Sequence, residues 1–448
     1  MRRGTFLAGT VIVTLTLSAA QATAPVSFTR QVGDFVADTS AMSVAAGDID
    51  GDGNVDLAVA NDDADNVSLL WGDGTGSFLD SGAPFDTGVA PFAVAIGDFD
   101  HDGKMDVVTS DEIGNTVTVL LNQGNRAFAP AKSTETGGSP QAIVVGEFNG
   151  DNFPDVATAN NFDGTVSILF GVGDGTFFLA QTVTVDAEPI GLALADIDGD
   201  GHVDLVVTNS SGGTDANGTV SVLKGVAGGM FEAQPEIALP PTCGTPTCVP
   251  VAVAVADLDG DKKLDIIVAN NEGDTISVLK GNGDLTFSPG SSAAVASSPE
   301  WVVAADFDGD GRMDIATSSD FDDKVSVLVG NGDGTFMPSV DFAVGTAPYG
   351  IVAADLNKDG KLDIASANTE DGTVSVLINT TGPAQSCPGD CNLDGVVPVN
   401  ELITMVNIAL GNAQLSSCTP GDVNGDGDIT VNEIIAAVNS ALNGCTQQ

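Results

Sequence analysis

The chain contains seven copies of a carboxylate-rich segment of the form D-x-D-x-D-G-x-x-D. Oxygen ligands at alternate positions are what a hard cation such as Ca²⁺ requires. The copies begin 50, 49, 49, 61, 49 and 49 residues apart, and such a period indicates a repeat architecture. Positions 1, 3, 5 and 9 are held by Asp48, Asp50, Asp52 and Asp56; Asp98, Asp100, Asp102 and Asp106; Glu147, Asn149, Asp151 and Asp155; Asp196, Asp198, Asp200 and Asp204; Asp257, Asp259, Asp261 and Asp265; Asp306, Asp308, Asp310 and Asp314; and Asp355, Asn357, Asp359 and Asp363.

A polar turn without metal is the alternative for each segment, because Asp and Gly are common in turns. Seven copies that all carry Asp at position 9 argue against this alternative. Without a cation, four carboxylates held close together would repel one another. The sequence therefore predicts calcium loops with a structural role, because a cation that binds only the native state stabilises it.

The charge balance narrows the classes of partner. The chain has 14 Lys and Arg residues against 62 Asp and Glu residues, for a formal net charge of −48. Such a surface repels nucleic acid and anionic membranes. A disordered acidic chain is the alternative, but 42% of the residues are hydrophobic and the charge is periodic. The composition predicts a folded protein that does not bind nucleic acid.

The first residues have the pattern of a secretory signal. Arg2 and Arg3 precede an apolar run over 6–20, and Ala20-Gln21-Ala22 provides small residues for cleavage after Ala22. A membrane anchor is the alternative, but the run is short and interrupted by threonines. We expect a signal peptide over 1–22, no membrane span after its removal, and a secreted or cell-surface protein.

Cysteine usage agrees with an oxidising compartment, because all six cysteines follow residue 240. Cys243 and Cys248 are expected to close a small loop. The other four cysteines allow three pairings, which stay open: Cys387, Cys391, Cys418 and Cys445.

Each repeat is expected to form four short strands. In the seventh repeat, strands are predicted over 350–354, 362–367 and 373–378. Complete repeats continue through a Gly-rich turn, such as 330–336, into a fourth strand. Four strands in about 49 residues predict one blade of a β-propeller. The seventh repeat lacks a fourth strand, and the segment 26–36 is predicted to supply it and close the ring.

The loops and the G-N-G-D-G-T-F turns together resemble FG-GAP/VCBS repeats, the type that builds the propeller of integrin α-subunits. The resemblance covers residues 26–380 and implies up to seven Ca²⁺ ions between the first and second strands. In the first loop it implies Asp48, Asp50, Asp52 and Asp56 as ligands, with the Asn54 carbonyl. The third and fifth loops replace the turn glycine with Asn152 and Lys262, so these two sites are expected to be weak or empty. Asn357 in the seventh loop still offers an oxygen.

Strand direction predicts that the calcium loops and the Gly-rich turns share one face of the propeller. The opposite face receives the two insertions, 210–218 and 240–249, and a variable residue after each inter-blade proline. Variable loops on a rigid scaffold commonly carry function. The hypothesis is a ligand-binding rim for an extracellular protein or glycan, and ordinary blade-edge packing is the alternative. Its residues are Phe92, Gln141, Glu300, Trp301 and Tyr349.

After a linker over 381–386, residues 387–448 form two matched halves, each a loop followed by a short apolar helix. The pattern resembles a dockerin, which implies up to two Ca²⁺ ions and a cohesin-like partner. Both halves carry Val-Asn where dockerins often have Ser-Thr, and a capping domain without a partner is the alternative. The implied metal ligands are Asp390, Asn392, Asp394, Glu401, Asp422, Asn424, Asp426, Asp428, Thr430 and Glu433.

The sequence thus predicts an all-β seven-bladed β-propeller plus a small α-helical dockerin-like EF-hand domain. The function expected is non-catalytic binding or adhesion. The only histidines, His101 and His202, lie within the calcium loops, and no Ser-His-Asp set can be assembled. A carbohydrate-active enzyme, either a polysaccharide lyase or a hydrolase, and a purely structural surface protein are the alternatives.

Overall fold

The computed structural model describes residues 26–80, 82–211, 218–239, 248–382, 399–418 and 427–443, together with Gly389, Cys391, Val397, Gly421 and Asp422. The predicted signal peptide lies outside the described residues. The larger of two units, Pro25–Ala384, contains seven antiparallel sheets of four or five strands. The prediction of a seven-bladed, all-β propeller is confirmed.

Each blade is a meander of four strands, numbered here from first to fourth. The first strands begin at a proline in six blades and are Ala41–Gly47, Pro91–Gly97, Pro140–Gly146, Pro189–Ala195, Pro250–Ala256, Pro299–Ala305 and Pro348–Ala354. The second strands begin at the position-9 acid and are Asp56–Asn61, Asp106–Asp111, Asp155–Asn160, Asp204–Asn209, Asp265–Asn270, Asp314–Ser319 and Asp363–Asn368.

The third strands are Asn66–Gly72, Thr116–Leu120, Thr165–Gly171, Thr219–Val226, Thr275–Gly281, Lys324–Leu328 and Thr373–Asn379. The fourth strands of the first six blades are Phe78–Asp80 with Phe85–Asp86, Lys132–Glu135, Phe177–Thr184, Met230–Ala233 with Ile237–Ala238, Phe287–Ala294 and Val340–Ala343. The second blade adds a ribbon of Asn122–Gly124 and Ala127–Phe128, and a 3-10 turn covers Asp62–Ala64.

The N-terminal segment closes the ring, as the sequence predicts. Phe28–Arg30 and Phe35–Val36 both pair antiparallel with the third strand of the seventh blade. Phe28 lies opposite Asn379, and its ring packs edge-on against Phe307 and Phe342 with centroids 5.8 and 5.1 Å away. Closure therefore covers the edge of this third strand with a fourth strand and adds an aromatic contact to the core.

The core of the propeller is a set of seven layers between neighbouring blades. The layer between the first two blades, for example, joins Leu69 and Trp71 to Val94 and Val107. All six residues of every second strand are buried, so these strands contribute to the layers on both sides. Their continuous apolar runs, such as Ile266 to Ala269, have the pattern of strands buried on both faces.

Loop contacts define the two faces. The turns between third and fourth strands meet the loops between first and second strands of the preceding blade, because the Gly76 amide donates to the Leu356 carbonyl at 3.0 Å and the Gly175 amide donates to the Phe99 carbonyl at 3.0 Å. We call this the loop face. On the opposite face, the backbone amide that follows each second strand donates a hydrogen bond to a carbonyl in the segment before the first strand of the same blade. For example, the Glu112 amide donates to the Ala90 carbonyl at 2.7 Å. We call this the axial face.

The described residues of the second unit form two short helices, α1 (Val399–Ala409) and α2 (Val431–Asn443), and a 3-10 turn at Leu415–Ser417. A disulfide joins Cys391 and Cys418. The small hydrophobic core of the second unit contains Val397, Met405, Cys418, Ile429 and Ala437. The two helices agree with the predicted α-helical tail. Cys387 and Cys445 lie outside the described residues, as does Cys243, while Cys248 is disulfide-bonded.

Across the described ranges, none of the helices combines the length and the hydropathy needed to cross a membrane.

Candidate functional site

The acid at position 9 of each loop is fixed by backbone donors. In the first loop, Asp56 accepts hydrogen bonds from the amides of Ile49 (2.9 Å) and Asp50 (3.1 Å) through Oδ2 and from Gly72 (2.8 Å) through Oδ1. All seven loops repeat the bond from the position-2 amide and a second bond from an amide at the end of the third strand or within two residues after it. This carboxylate therefore ties the loop to the blade and is buried at a defined place.

The acids at positions 1 and 3 are held by tight turns. Asp48 accepts hydrogen bonds from Gly51 (2.9 Å) and Gly53 (3.0 Å), and Asp50 accepts one from Asp52 (3.0 Å). In five loops the carboxylate oxygens of positions 1, 3 and 9 lie within 4.8 Å of one another. Such an oxygen set fits a hard divalent cation. The five sets are Asp48, Asp50 and Asp56; Asp98, Asp100 and Asp106; Asp196, Asp198 and Asp204; Asp257, Asp259 and Asp265; and Asp306, Asp308 and Asp314.

The third and seventh loops differ at position 3, where Asn149 and Asn357 replace the carboxylate. Their amide oxygens keep the turn, because they accept the amides of Asp151 and Asp359 at 2.9 Å. The fifth loop forms a complete set although Lys262 occupies the glycine position. Lys262 takes a φ of 68°, the left-handed conformation of the glycine it replaces. Weak sites in the third and fifth loops stay a prediction.

Burial and mutual repulsion affect the loop acids. Burial, with a smaller effect from the nearby acids Asp50 and Asp308, raises the pKa of Asp56 to about 6 and that of Asp314 to about 7. Lys104, Lys263 and Arg312 pair with acids of their own loops, and basic side chains from outside the loops reach three of them. Arg126 pairs with Asp50 at 2.6 Å, Lys280 pairs with Asp259 at 3.1 Å, and Lys224 bonds both Asp198 and Asp200. The loops thus concentrate negative charge that attracts cations.

The axial face contains a cavity of about 100 Å³ at the start of the first strands. All five residues predicted for the ligand-binding rim line it: Phe92, Gln141, Glu300, Trp301 and Tyr349. They come from the second, third, sixth and seventh blades, so closure of the ring brings them together. Apolar walls come from the fourth and fifth blades, including Ile190 and Val251. Trp301 also packs against the core layer between the sixth and seventh blades.

Polar contacts order this cavity. The rings of Phe92 and Tyr349 meet edge-on at 5.5 Å. Glu300 is only 9% exposed, and its Oε1 accepts hydrogen bonds from Asn271 and, at 3.4 Å, from Ser298. Burial, and then the nearby Asp320 carboxylate, raise the pKa of Glu300 to about 8. Burial also raises the pKa of Tyr349 above its usual value, and Glu300, Asp320 and Glu112 add to that effect.

Sequence reasoning missed Glu112, Asp320 and Asp62, which follow the last residue of their second strands. Glu112 accepts a hydrogen bond from Gln141 at 2.8 Å and so supports the cavity wall. Burial, followed by Glu112, raises the pKa of Asp62 to about 6. One feature of the sequence could have identified them. The position 14 residues after the start of each loop is polar in all seven blades but differs in residue type.

Apolar side chains project from the axial face beside these acids. Phe162 is 85% exposed and Phe321 is 81% exposed, and Ile113 is exposed at the equivalent place in the second blade. All three lie in the short loops between second and third strands. Large exposed apolar groups that recur at one place commonly mark an interaction surface. The two insertions of this face lie mostly outside the described residues.

Comparison with known families gives the identity of the repeats. A model described as an FG-GAP-like repeat matches residues 48–109, 98–158, 147–207, 257–317 and 316–366, which is more than half of the chain. The chain belongs to the FG-GAP-like repeat family. The resemblance predicted from the loops is thereby confirmed for the propeller. No curated protein matches this FG-GAP-like chain.

Solved structures similar to this FG-GAP-like propeller share its fold. BBS1N, crystallised in complex with ARL6DN, is 12% identical, with a TM-score of 0.56 over 80% of this chain and 98% of that chain. Virginiamycin B lyase from Staphylococcus aureus is 15% identical, with a TM-score of 0.53 over 79% of this chain and 99% of that one. A functionally unknown protein from Desulfotomaculum acetoxidans is 16% identical, with a TM-score of 0.50 over 73% and 93%. At these identities the similarity concerns the fold.

The tail of the FG-GAP-like chain shows part of its predicted second loop. The Gly427 amide donates to Asp422 at 2.9 Å, and Glu433 accepts hydrogen bonds from the amide and hydroxyl of Thr430 at 2.7 and 2.9 Å. Glu401 and Glu433, at matching places in the two halves, are both buried. Asp428 is described as well. The other predicted tail ligands lie outside the described residues: Asp390, Asn392, Asp394, Asn424 and Asp426.

Proposed function

We propose that the protein is an exported, calcium-dependent binding module whose axial face recognises an extracellular protein or glycan. The observation that carries the proposal is the contrast between the two faces. The loop face repeats one set of acids and turns around the ring, whereas the axial cavity is lined by a different residue in each blade that contributes. A scaffold with repeated structural loops on one face and variable residues around a cavity on the other suits ligand recognition.

Calcium supports this function by fixing the blade corners. Five loops bring three carboxylates within 4.8 Å, and a cation there would offset their repulsion. We expect millimolar Ca²⁺ to raise the melting temperature and a chelator to lower it, because Ca²⁺ binds the native state. Asp98→Asn should reduce this calcium-dependent shift more than Glu147→Gln does, because Glu147 lies outside the five sets. Equal shifts in the two variants would contradict the assignment.

The binding role is tested by screening glycans and extracellular proteins against residues 23–448, with Ca²⁺ and with chelator. A saturable ligand that binds only with Ca²⁺ is the expected result. Phe162→Ser and Phe321→Ser, which alter exposed side chains of the axial face, should weaken it. Phe178→Ser is the matched control, because Phe178 is 53% exposed on an outer strand of the third blade. A ligand equally sensitive to Phe178→Ser would place recognition elsewhere.

We propose that the tail is a dockerin-like calcium module that docks to a cohesin-like partner. Support comes from two short helices, each with a buried glutamate in its first turn, Glu401 and Glu433. Glu433→Gln should lower the calcium affinity of the tail, and Val431→Ser should alter partner binding without that loss, because Val431 is exposed. Calcium titration of the full chain and its Glu433→Gln variant tests the metal site. Unchanged calcium stoichiometry would refute it.

A further inference from the structure

Acidic side chains in and near the axial cavity are paired with no basic side chain of the described residues. Glu300 lines it, while Glu112 and Asp320 lie close enough to act on the Tyr349 hydroxyl. In the described part of the chain, the ion pairs of Lys and Arg involve the loop acids, Asp34 and Asp341, and none involves these three carboxylates. Burial without a counter-charge favours the protonated form of Glu300, and a positively charged ligand would favour its carboxylate form. The cavity therefore favours a positively charged ligand.

Some oxygens in and near the cavity are open to a further donor. The described hydrogen bonds to Glu300 end on its Oε1 atom, and Gln141 donates through its Nε2 atom, which leaves Glu300 Oε2 and the Gln141 side-chain oxygen open to a ligand. The Oδ1 atom of Asp320, whose charge acts on Glu300 and Tyr349, is buried and has no hydrogen-bond partner among the described residues. Buried polar atoms are nearly always paired in native proteins. A ligand with several N–H donors would satisfy these oxygens.

The walls indicate an organic cation rather than a metal ion. The acids come from different blades and do not form a set of three carboxylates within 4.8 Å, as the calcium loops do. Ile190 and Val251 offer apolar contact instead of ligands, and the Phe92–Tyr349 pair offers aromatic rings. A cavity of about 100 Å³ accommodates a short alkyl stem with a compact head. An alkylammonium group combines three N–H donors with such a stem.

We propose that the axial cavity is a subsite for an alkylammonium group, bonded by Glu300, Tyr349 and Gln141. The inference deepens the proposed binding function, on which it rests. The ammonium is supplied either by a free amine or by a lysine side chain of the ligand. Its positive charge compensates Glu300, Asp320 and Glu112, and its stem packs on the apolar wall. Aromatic rings beside it add a cation–π contribution.

The test titrates calcium-loaded protein with two probes, n-butylammonium chloride and Nα-acetyl-lysine amide, at constant ionic strength. Calorimetry measures binding, and the fluorescence of Trp301 in a Trp71→Phe background reports it at the cavity. n-Butanol is the uncharged control and should not bind. Glu300→Gln should lower the association constant at least tenfold, and Tyr349→Phe should lower it severalfold. Glu370→Gln, which removes an exposed carboxylate from the same face, should leave it unchanged.

The outcomes distinguish a free amine from a lysine side chain as the source of the cation. They also distinguish failure of the cation subsite from failure of the proposed binding function. Binding of butylammonium alone indicates a free amine, whereas binding of the lysine probe indicates a side chain. Failure of both probes, or equal losses in Glu300→Gln and Glu370→Gln, would overturn the subsite. If a screened ligand needs Phe162 or Phe321 yet tolerates Glu300→Gln, the binding function stands and the cation subsite fails. Melting curves check that the Glu300→Gln and Tyr349→Phe proteins are folded.

Discussion

Replacement of Glu300 by Gln should stabilise the propeller at alkaline pH and have little effect at acid pH. Burial and the Asp320 carboxylate raise the pKa of Glu300 to about 8, against an ordinary value of 4.5. Between these two values the folded protein binds more protons at this site than the unfolded chain. The contribution of Glu300 to stability is therefore fully present below pH 4.5 and is lost as the pH rises to about 8.

The magnitude follows from the same two values. One pKa unit corresponds to about 1.4 kcal/mol, so a pKa raised from 4.5 to about 8 corresponds to at most about 5 kcal/mol. Relaxation of the surrounding protein and water reduces the cost of a buried charge, and we expect roughly 2–4 kcal/mol between pH 5 and pH 9. Gln keeps the hydrogen bond from Asn271, because its side-chain oxygen accepts in the same place. The substitution therefore isolates the charge.

The assay is urea unfolding of the wild type and the Glu300→Gln variant at pH 5, 7 and 9 with saturating Ca²⁺. Other acids titrate in this range, but they are common to both proteins and cancel in the difference. Glu370→Gln is the control, because Glu370 is exposed on the same face. Its difference from the wild type should stay near zero at each pH. A difference for Glu300→Gln that is independent of pH, or that grows towards acid pH, would refute the reasoning.

Three further predictions concern the construction of the blades, and each is tested by urea unfolding with Ca²⁺ and with chelator. Asp56→Ala leaves three backbone amides without their acceptor and should lower the free energy of unfolding by about 2–5 kcal/mol in both conditions, whereas Asp48→Asn should act only with Ca²⁺. Phe28→Ala should lower it by about 3–5 kcal/mol, and a change below about 1 kcal/mol would contradict the role of ring closure. Gly72→Ala should be severely destabilising, because its Cβ would lie 2.0 Å from the Val55 carbonyl oxygen, whereas Gly53→Ala meets no atom and should cost about 1 kcal/mol for its positive φ.

Most of the fold was predictable because the repeat encodes it locally. Each blade carries its own loop acids, strands and turns within about 49 residues, so the period alone predicts the blade and the count of blades. The strand bounds differ from the predicted ones by one or two residues, as in Pro348–Ala354 against 350–354. Ring closure was predictable as well, since the last repeat lacked the one strand that 26–36 could provide.

The arrangement of the sites was harder to predict. Weak sites were predicted in the third and fifth loops because Asn152 and Lys262 replace the turn glycine. Both residues nevertheless adopt a positive φ and preserve the backbone conformation of the loop. Position 3 decides instead which loops collect three carboxylates, because Asn149 and Asn357 are the amides among its seven residues. At the axis, Glu112 and Glu300 belong to blades far apart in the chain. Only closure of the ring brings Glu300 into the cavity whose wall residue Gln141 is bonded to Glu112, so no local pattern shows their proximity.

The two faces also differ in how their charge relates to stability. On the loop face, backbone amides and basic side chains such as Arg126 and Lys224 already offset part of the negative charge. At the axis, Glu300 has neither a basic partner nor a metal-like set of neighbours. Local violations of otherwise consistent packing are commonly found at functional sites. The buried carboxyl group of Glu300, which is costly to ionise, is therefore better explained by a cationic ligand than by the needs of the fold.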